Sequence, residues 1–181
     1  MLASRSPRRS EILTNAGIPF VVRTADVEEI RCEDEPPEAY VKRLAQSKAR
    51  GVPAAAGEVV LGADTVVVLD DHVLEKPADA EDAARMLRLL SGREHSVITG
   101  ICLRSGAREI VEVETTGVRF GPLSDDEIRA YVGSGEPMDK AGAYAIQGLA
   151  SKFVESVNGC YFNVVGLPVA RVYRCLKQFE S

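Results

Sequence analysis

Apolar residues recur along this chain at two periods, and the places where the period changes divide it into alternating helices and strands. Val41, Leu44 and Ala45 form one stripe at a 3.6-residue period, which predicts a helix from Pro37 to about Arg50. Ala83, Met86, Leu87 and Leu90 do the same for Asp79 to Leu90, stopped at Gly92; Val169, Val172, Tyr173 and Leu176 do so for Pro168 to Phe179. Ser6 can cap a further helix, with Pro7 at its first position and Gly17 at its end. Ser124 to Glu127 has the reciprocal capping pattern of a helix reaching about Tyr131.

The strand signals lie between these helices. Met1–Ala3 reads as the tail of a short strand and Phe20–Thr24 as another. Val59–Leu69 is a β-branched apolar run, interrupted at Gly62–Thr65, and Asp70-Asp71-His72 turns it into a short partner at Val73-Leu74. Ser96–Leu103 and Ile110–Phe120 follow, the second with Val111 and Val113 inward and Glu112 and Glu114 outward. Asn158-Gly159 predicts a hairpin between Phe153–Val157 and Cys160–Val165. Crossover-linked and hairpin-linked strands together imply an α/β domain with a mixed sheet. Strand groups before and after the Asp79 helix would allow two lobes with a cleft between them.

Composition narrows the function classes. A length of 181 residues suits one domain or two joined lobes, and 45% hydrophobic with 27% charged residues is ordinary soluble composition. The net charge of −5 opposes a general nucleic-acid binder, while leaving room for a local basic pocket. Cys32, Cys102, Cys160 and Cys175 are scattered without a C-x-x-C pair, and read as buried small hydrophobes in a reducing compartment. No apolar run approaches the roughly 20 residues that span a bilayer, and the N-terminus lacks a secretory pattern, so a cytoplasmic protein is expected. His72 and His95 are isolated and read as structural.

Four stretches look chemical. Ser4-Arg5-Ser6-Pro7-Arg8-Arg9 sets three arginines at a helix N-terminus, where cations cost stability unless an anion binds; an anion site and a solvated basic turn weigh equally there. Lys48 continues the stripe of Val41, Leu44 and Ala45. On its own that fits a snorkelling side chain; beside a phosphate pocket it fits a ligand, and an apolar isostere would then leave the protein as stable or slightly more so. Asp64 sits in the apolar run VVLGADTVVVL, where a carboxylate must be neutralised, hydrogen-bonded or metal-bound. A functional role there outweighs a carboxylate held by backbone amides, and Gly62 permits close approach of a backbone or ligand. Glu136 to Gly148, with Lys140 and Gln147, reads as an ordered binding loop. Lys76 is a weaker candidate, since a lysine after a hairpin is more often plain surface.

The runs LASRSPRRSEIL, YVKRLAQSKA, LGADTVV, LEKP, MLRLLSGREHSVITG, SGEPMDKAGAYAIQG and NVVGLP extend from Leu2 to Pro168, and in this order they closely resemble the Maf family of nucleotide pyrophosphatases. The resemblance implies an α/β fold: an elongated mixed β-sheet flanked by helices, with a cleft between two lobes, in one domain over residues 1–181, commonly a homodimer. It implies cleavage between the α- and β-phosphates of a nucleoside triphosphate with a divalent cation, Mg²⁺ or Mn²⁺. The catalytic acid falls on Asp64, and positions tied to base choice fall on Arg8, Thr65 and Gln147. SPRR, GADT and DKAGAYAIQG resemble the branch acting on dTTP and UTP, as against the branch preferring 7-methyl-GTP. Ser4, Arg8, Arg9, Lys48, Thr65, Lys76, Lys140 and Gln147 are the expected substrate-binding set. Glu29, with Glu28 beside it, could share the metal with Asp64. The family's association with septum formation leaves a non-catalytic nucleotide-binding regulator as the alternative, and a pyrophosphatase for modified purine nucleotides as a second. Related chains carry several more apolar residues before LAS, so a short first strand is expected.

Overall fold

The computed structural model describes residues 1–24 and 26–180. Among the described residues six α-helices, α1 (Pro7–Asn15), α2 (Pro37–Arg50), α3 (Ala80–Leu90), α4 (Asp125–Gly133), α5 (Tyr161–Val165) and α6 (Val169–Glu180), accompany five strands, β1 (Val60–Leu69), β2 (His72–Leu74), β3 (Glu94–Ser105), β4 (Arg108–Phe120) and β5 (Val154–Asn158). The strands form one sheet in the order β2-β1-β3-β4-β5. This is the expected α/β architecture. Among the described residues, no helix is long and apolar enough to cross a membrane.

The chain divides into two compact units, whose boundary is not the α3 helix that the sequence pattern pointed to. The first comprises Met1–Thr65, Thr99–Glu114 and the chain from Gly166 on; the second comprises Val66–Ile98 and Thr115–Val165. β1, β3 and β4 each contribute one part to either unit, because strands of 10 to 13 residues are long enough to serve both.

In the first unit, Tyr40, Val41, Leu44, Ala45 and Ala49 of α2 are buried. The helix lies directly on strand backbone. A Cβ at Gly62 of β1 would meet the Ala45 carbonyl oxygen, and one at Gly100 of β3 would meet that of Val41. Gly62 therefore admits a helix, not a break, and β1 runs uninterrupted through residues 62–65. Leu2 bridges Val22 and Leu61 in parallel, which is all that forms of the strand expected at Phe20–Thr24. Val21 and Val22 are 53% and 49% exposed, so that segment has no apolar face to bury. In α6, Val172 and Cys175 are buried while Tyr173 faces out. Arg171 bonds Glu114 at 2.6 Å and Glu112 at 2.7 Å, so the two glutamates expected to face solvent meet a helix instead. Cys32 is exposed, contrary to the expectation that every cysteine is buried.

In the second unit, Asp79 caps α3 through the Asp82 amide, and Ser124 and Glu127 form the full capping box of α4. The predicted hairpin at Asn158-Gly159 does not form. β5 pairs with β4, and Thr116 Oγ1 holds both the amide and the carbonyl of Cys160, at 3.1 and 3.2 Å. Gly159 (φ 128°) then turns the chain into α5. Buried His95 meets the rings of Phe120 and Tyr144 edge to face, and its Nε2 lies 2.9 Å from the Tyr144 hydroxyl.

Burial pushes the His95 imidazole down from 6.5 to about 4. Below pH 6.5 the unfolded chain takes a proton that the folded chain refuses until about pH 4, so stability falls across that window. The shift corresponds to ~3 kcal/mol. Denaturant unfolding at pH 7 and pH 4 should show wild type losing about that much more than His95→Gln; identical pH slopes would mean that His95 does not carry the effect.

Candidate active site

Residues alternate across a strand, so Gly62 and Asp64 share the face of β1 that α2 covers. Lys48 lies one turn beyond Ala45 on the same stripe of α2. Its Nζ reaches Asp64 Oδ1 at 2.6 Å and Glu29 Oε1 at 2.7 Å. The lysine and aspartate side chains are only 14% and 11% exposed, whereas Glu29 is 46% exposed. Glu29 sits in the irregular segment before α2, where its carbonyl accepts a bond from the Tyr40 hydroxyl at 3.1 Å. Asp64 and Glu29, both singled out from sequence, thus converge on the ammonium group of Lys48, a third such residue.

Burial raises the Asp64 carboxyl above its ordinary value, and the charge of Glu29 adds to this; Lys48 and Arg9 oppose it. A carboxylate made more basic than usual is better suited to accept a proton from water. Two carboxylate oxygens around a cation are also hard donors of the kind Mg²⁺ and Mn²⁺ take. A magnesium ion commonly needs only one or two carboxylates, with phosphate and water completing its shell. Among the described residues no group of three or more His, Cys, Asp or Glu side chains is positioned to hold a metal. Glu28 is exposed.

Thr65 turns to the other face of β1. Its hydroxyl meets Thr99 Oγ1 at 2.9 Å and accepts from Arg9 at 3.1 Å. Arg9 also donates to the carbonyls of Gly166 (2.8 Å) and Ala63 (2.9 Å) and to Ser4 Oγ (3.1 Å). Ser4 Oγ accepts a further bond from the Ser6 amide. Arg9 and Ser4, expected to bind substrate, are thereby engaged within the protein, Arg9 by acceptors and Ser4 Oγ by donors, and burial lowers the Arg9 guanidinium from its ordinary value. Arg8 is half-buried on α1. Sequence reasoning missed Thr99 and Gly166 as partners here. The signal for Gly166 was its place in NVVGLP, where φ is 125°.

The remaining expected residues belong to the second unit. Lys76 is exposed, and the carbonyl of its neighbour Glu75 accepts from Gly142 N at 3.1 Å. Lys140 bonds the Glu136 carbonyl and the Asp139 carboxylate, so its charge is used within its own loop. Gln147 is exposed at a turn closed by Gly148 N to the Ala145 carbonyl.

The family model described as Maf-like protein matches residues 1–179. The chain belongs to the Maf family. A relative named dTTP/UTP pyrophosphatase from Koribacter versatilis is 56% identical over 98% of this chain and 93% of its own length. Those of the same name from Symbiobacterium thermophilum and Escherichia coli O157:H7 are 53% and 49% identical, each over 99% of this chain and over 93% and 92% of their own length. Within this Maf chain, the LGADTVV run is β1 and YVKRLAQSKA lies in α2, so the two longest matches near Asp64 are the two elements in contact at Gly62.

The ion pairs reverse the stability expected for an apolar Lys48. Removing the amine leaves Asp64 buried beside Glu29 without its counter-charge, and a broken buried pair is costly. Lys48→Met should lose on the order of 3 kcal/mol at neutral pH, the lower end for a broken buried pair. Because the Asp64 carboxyl is already raised, the loss should shrink as acid neutralises it. Lys48→Met with Asp64→Asn should recover most of the stability in thermal and denaturant unfolding; no recovery would place the cost in lost packing of the lysine stem.

Proposed function

We propose that this Maf protein hydrolyses dTTP and UTP to the nucleoside monophosphate and pyrophosphate. The observation that carries the reading is Asp64: a carboxylate raised by burial, held 2.6 Å from Lys48 and joined there by Glu29. The names of the relatives, at 49 to 56% identity over nearly the whole chain, support the substrate class.

Asp64 accepts a proton from the water that attacks the α-phosphorus, and the bond to the β-phosphate bridging oxygen breaks to release pyrophosphate. Lys48, Arg8 and Lys76 supply positive charge for the phosphate oxygens and for the leaving group. Asp64 and Glu29 would hold the Mg²⁺ or Mn²⁺, which supplies Lewis-acid polarisation of the phosphate when bound. Arg9 braces Thr65 and the end of α1 through its bonds to Ala63, Gly166 and Ser4. Lys140 holds its own loop together. The homodimer expected from the family resemblance and the cytoplasmic setting expected from the sequence pattern belong to the same proposal.

Base choice falls to Gln147. Uracil and thymine present acceptor, donor and acceptor along the 2-oxo, N3–H and 4-oxo edge, and an amide can offer both a donor and an acceptor to it. A site built on such bonds rejects a base that leaves them unmade. Cytosine, with an amino group at position 4 and no N3–H, is the sharpest comparison at equal size.

Pyrophosphate release from a panel of triphosphates, with and without EDTA, tests the activity. UTP and dTTP should turn over far faster than ATP, GTP, CTP or 7-methyl-GTP, and EDTA should abolish turnover. Nucleotide binding without release would instead support a regulator. Asp64→Asn should fold normally and lose at least ~100-fold in kcat; activity within a few-fold of wild type removes Asp64 from the chemistry.

Gln147→Leu should lower kcat/KM for UTP roughly tenfold or more while changing CTP little. Equal losses on both would assign Gln147 to loop structure.

A further inference from the structure

Gln147 is exposed on a four-residue turn, Ala145 to Gly148, closed by a 3.1 Å bond from Gly148 N to the Ala145 carbonyl. Both flanks of that turn are tied to one pair of side chains. Ala145 N donates to the Tyr131 hydroxyl at 3.3 Å, and the hydroxyl donates to Glu136 Oε1 at 2.9 Å. The other carboxylate oxygen, Oε2, accepts from Leu149 N at 3.1 Å. Tyr131 is 3% exposed on α4, and burial together with its bond to Glu136 raises the phenol well above its ordinary value, so it stays a donor.

A third feature requires this arrangement. A Cβ at Gly148 would collide with the Glu136 carboxylate, the three nearest atoms all belonging to it. The backbone at Gly148 has φ −103°, which other residues adopt, so left-handed geometry does not explain the glycine. What the position lacks room for is a side chain beside Glu136. Glu136 is itself fixed from its own side: its amide donates to Ser134 Oγ at 3.2 Å and its carbonyl accepts from Lys140 at 2.6 Å. Ile146 within the turn and Tyr144 just before it are buried, so the chain leading into the exposed Gln147 is packed into the protein.

We propose that Tyr131 and Glu136 are positioning residues for base selection, pinning the backbone on both sides of Gln147, with Gly148 kept bare to admit the carboxylate. The proposal rests on the reading of Gln147 as the base-selecting group. Neither residue touches the nucleotide. Their effect is on where the Gln147 amide sits, and an amide that wanders loses bonds to uracil that cytosine never made.

Tyr131→Phe removes the hydroxyl that joins Ala145 to Glu136, and Gly148→Ala displaces the carboxylate without altering any hydrogen-bonding group. With Gln147→Leu as reference, kcat/KM is measured for UTP and CTP in each. Both variants should lower the UTP/CTP ratio roughly fivefold to tenfold, as the loss of one or two hydrogen bonds implies. CTP turnover should stay within about twofold, and amide exchange at Ala145 and Leu149 should quicken in the free protein. If Gln147→Leu flattens the ratio while the other two keep it, the positioning role is wrong and the Gln147 reading stands. Parallel losses on UTP and CTP in Tyr131→Phe and Gly148→Ala also overturn it, since they report a general loosening. If Gln147→Leu itself leaves the ratio unchanged, the Gln147 reading fails and this proposal with it.

Discussion

The contact on which the first unit depends is backbone against backbone. At Gly62 and Gly100 the α2 helix comes so close to β1 and β3 that a single added carbon would strike its carbonyl oxygens. The facing residues on the helix, Val41, Ala45 and Ala49, are fully buried. Interiors are close-packed and respond to one methylene, so this approach is set by the absence of atoms rather than by an attractive pair. Its consequence is electrostatic. Lys48, next along the stripe, is brought to hydrogen-bond distance of Asp64, which shares the strand face of Gly62. A wider helix-to-strand spacing would let water in, restore the carboxylate to ordinary acidity and weaken the proposed base.

That geometry also explains why charge can be buried here at all. An isolated carboxylate in an apolar strand would be neutralised by taking up a proton. The Lys48 ammonium and the nearby Arg9 guanidinium offset part of the desolvation, so the raised carboxyl reflects burial outweighing its counter-charges. Arg9 differs in kind from Lys48. It meets two backbone carbonyls and two hydroxyls, neutral acceptors that fix its orientation and couple the end of α1 to Ala63, Thr65 and Gly166. One cation tunes a charge; the other ties segments together.

How much of this was legible follows from where the information lies. The helices α2, α3 and α4 were readable because periodicity and capping are local, and Lys48 and Asp64 stood out because charge in an apolar stripe is anomalous on sight. Phe20–Thr24 has the composition of a strand, but its one pairing, with Leu2, leaves no face to bury. Asn158-Gly159 has the composition of a hairpin, but Thr116 captures Cys160 across 44 residues and redirects the chain. The use of Arg9 was hidden for the same reason, since its acceptors are main-chain carbonyls 54 and 157 residues away, and any residue type presents a carbonyl. Glu136 went unnoticed because a glutamate in a polar loop reads as solvated. Only the missing Cβ at Gly148 marks it as enclosed.

The two networks proposed to serve catalysis and selection share no residue. Asp64, Lys48 and Glu29 hold one another by charge, and their strength depends on exclusion of water. Tyr131, Glu136, Ala145 and Leu149 hold a turn largely through bonds to backbone amides, which fix position whatever the sequence of the turn between them. A substitution at Gln147 therefore leaves its supporting bonds intact, since none of them is made by its side chain. A substitution at Lys48, by contrast, changes the ionisation of Asp64 at once. On the proposed reading, base preference can be altered at Gln147 without cost to the frame, while loss of the Lys48 ammonium leaves a buried carboxylate without its nearest counter-charge.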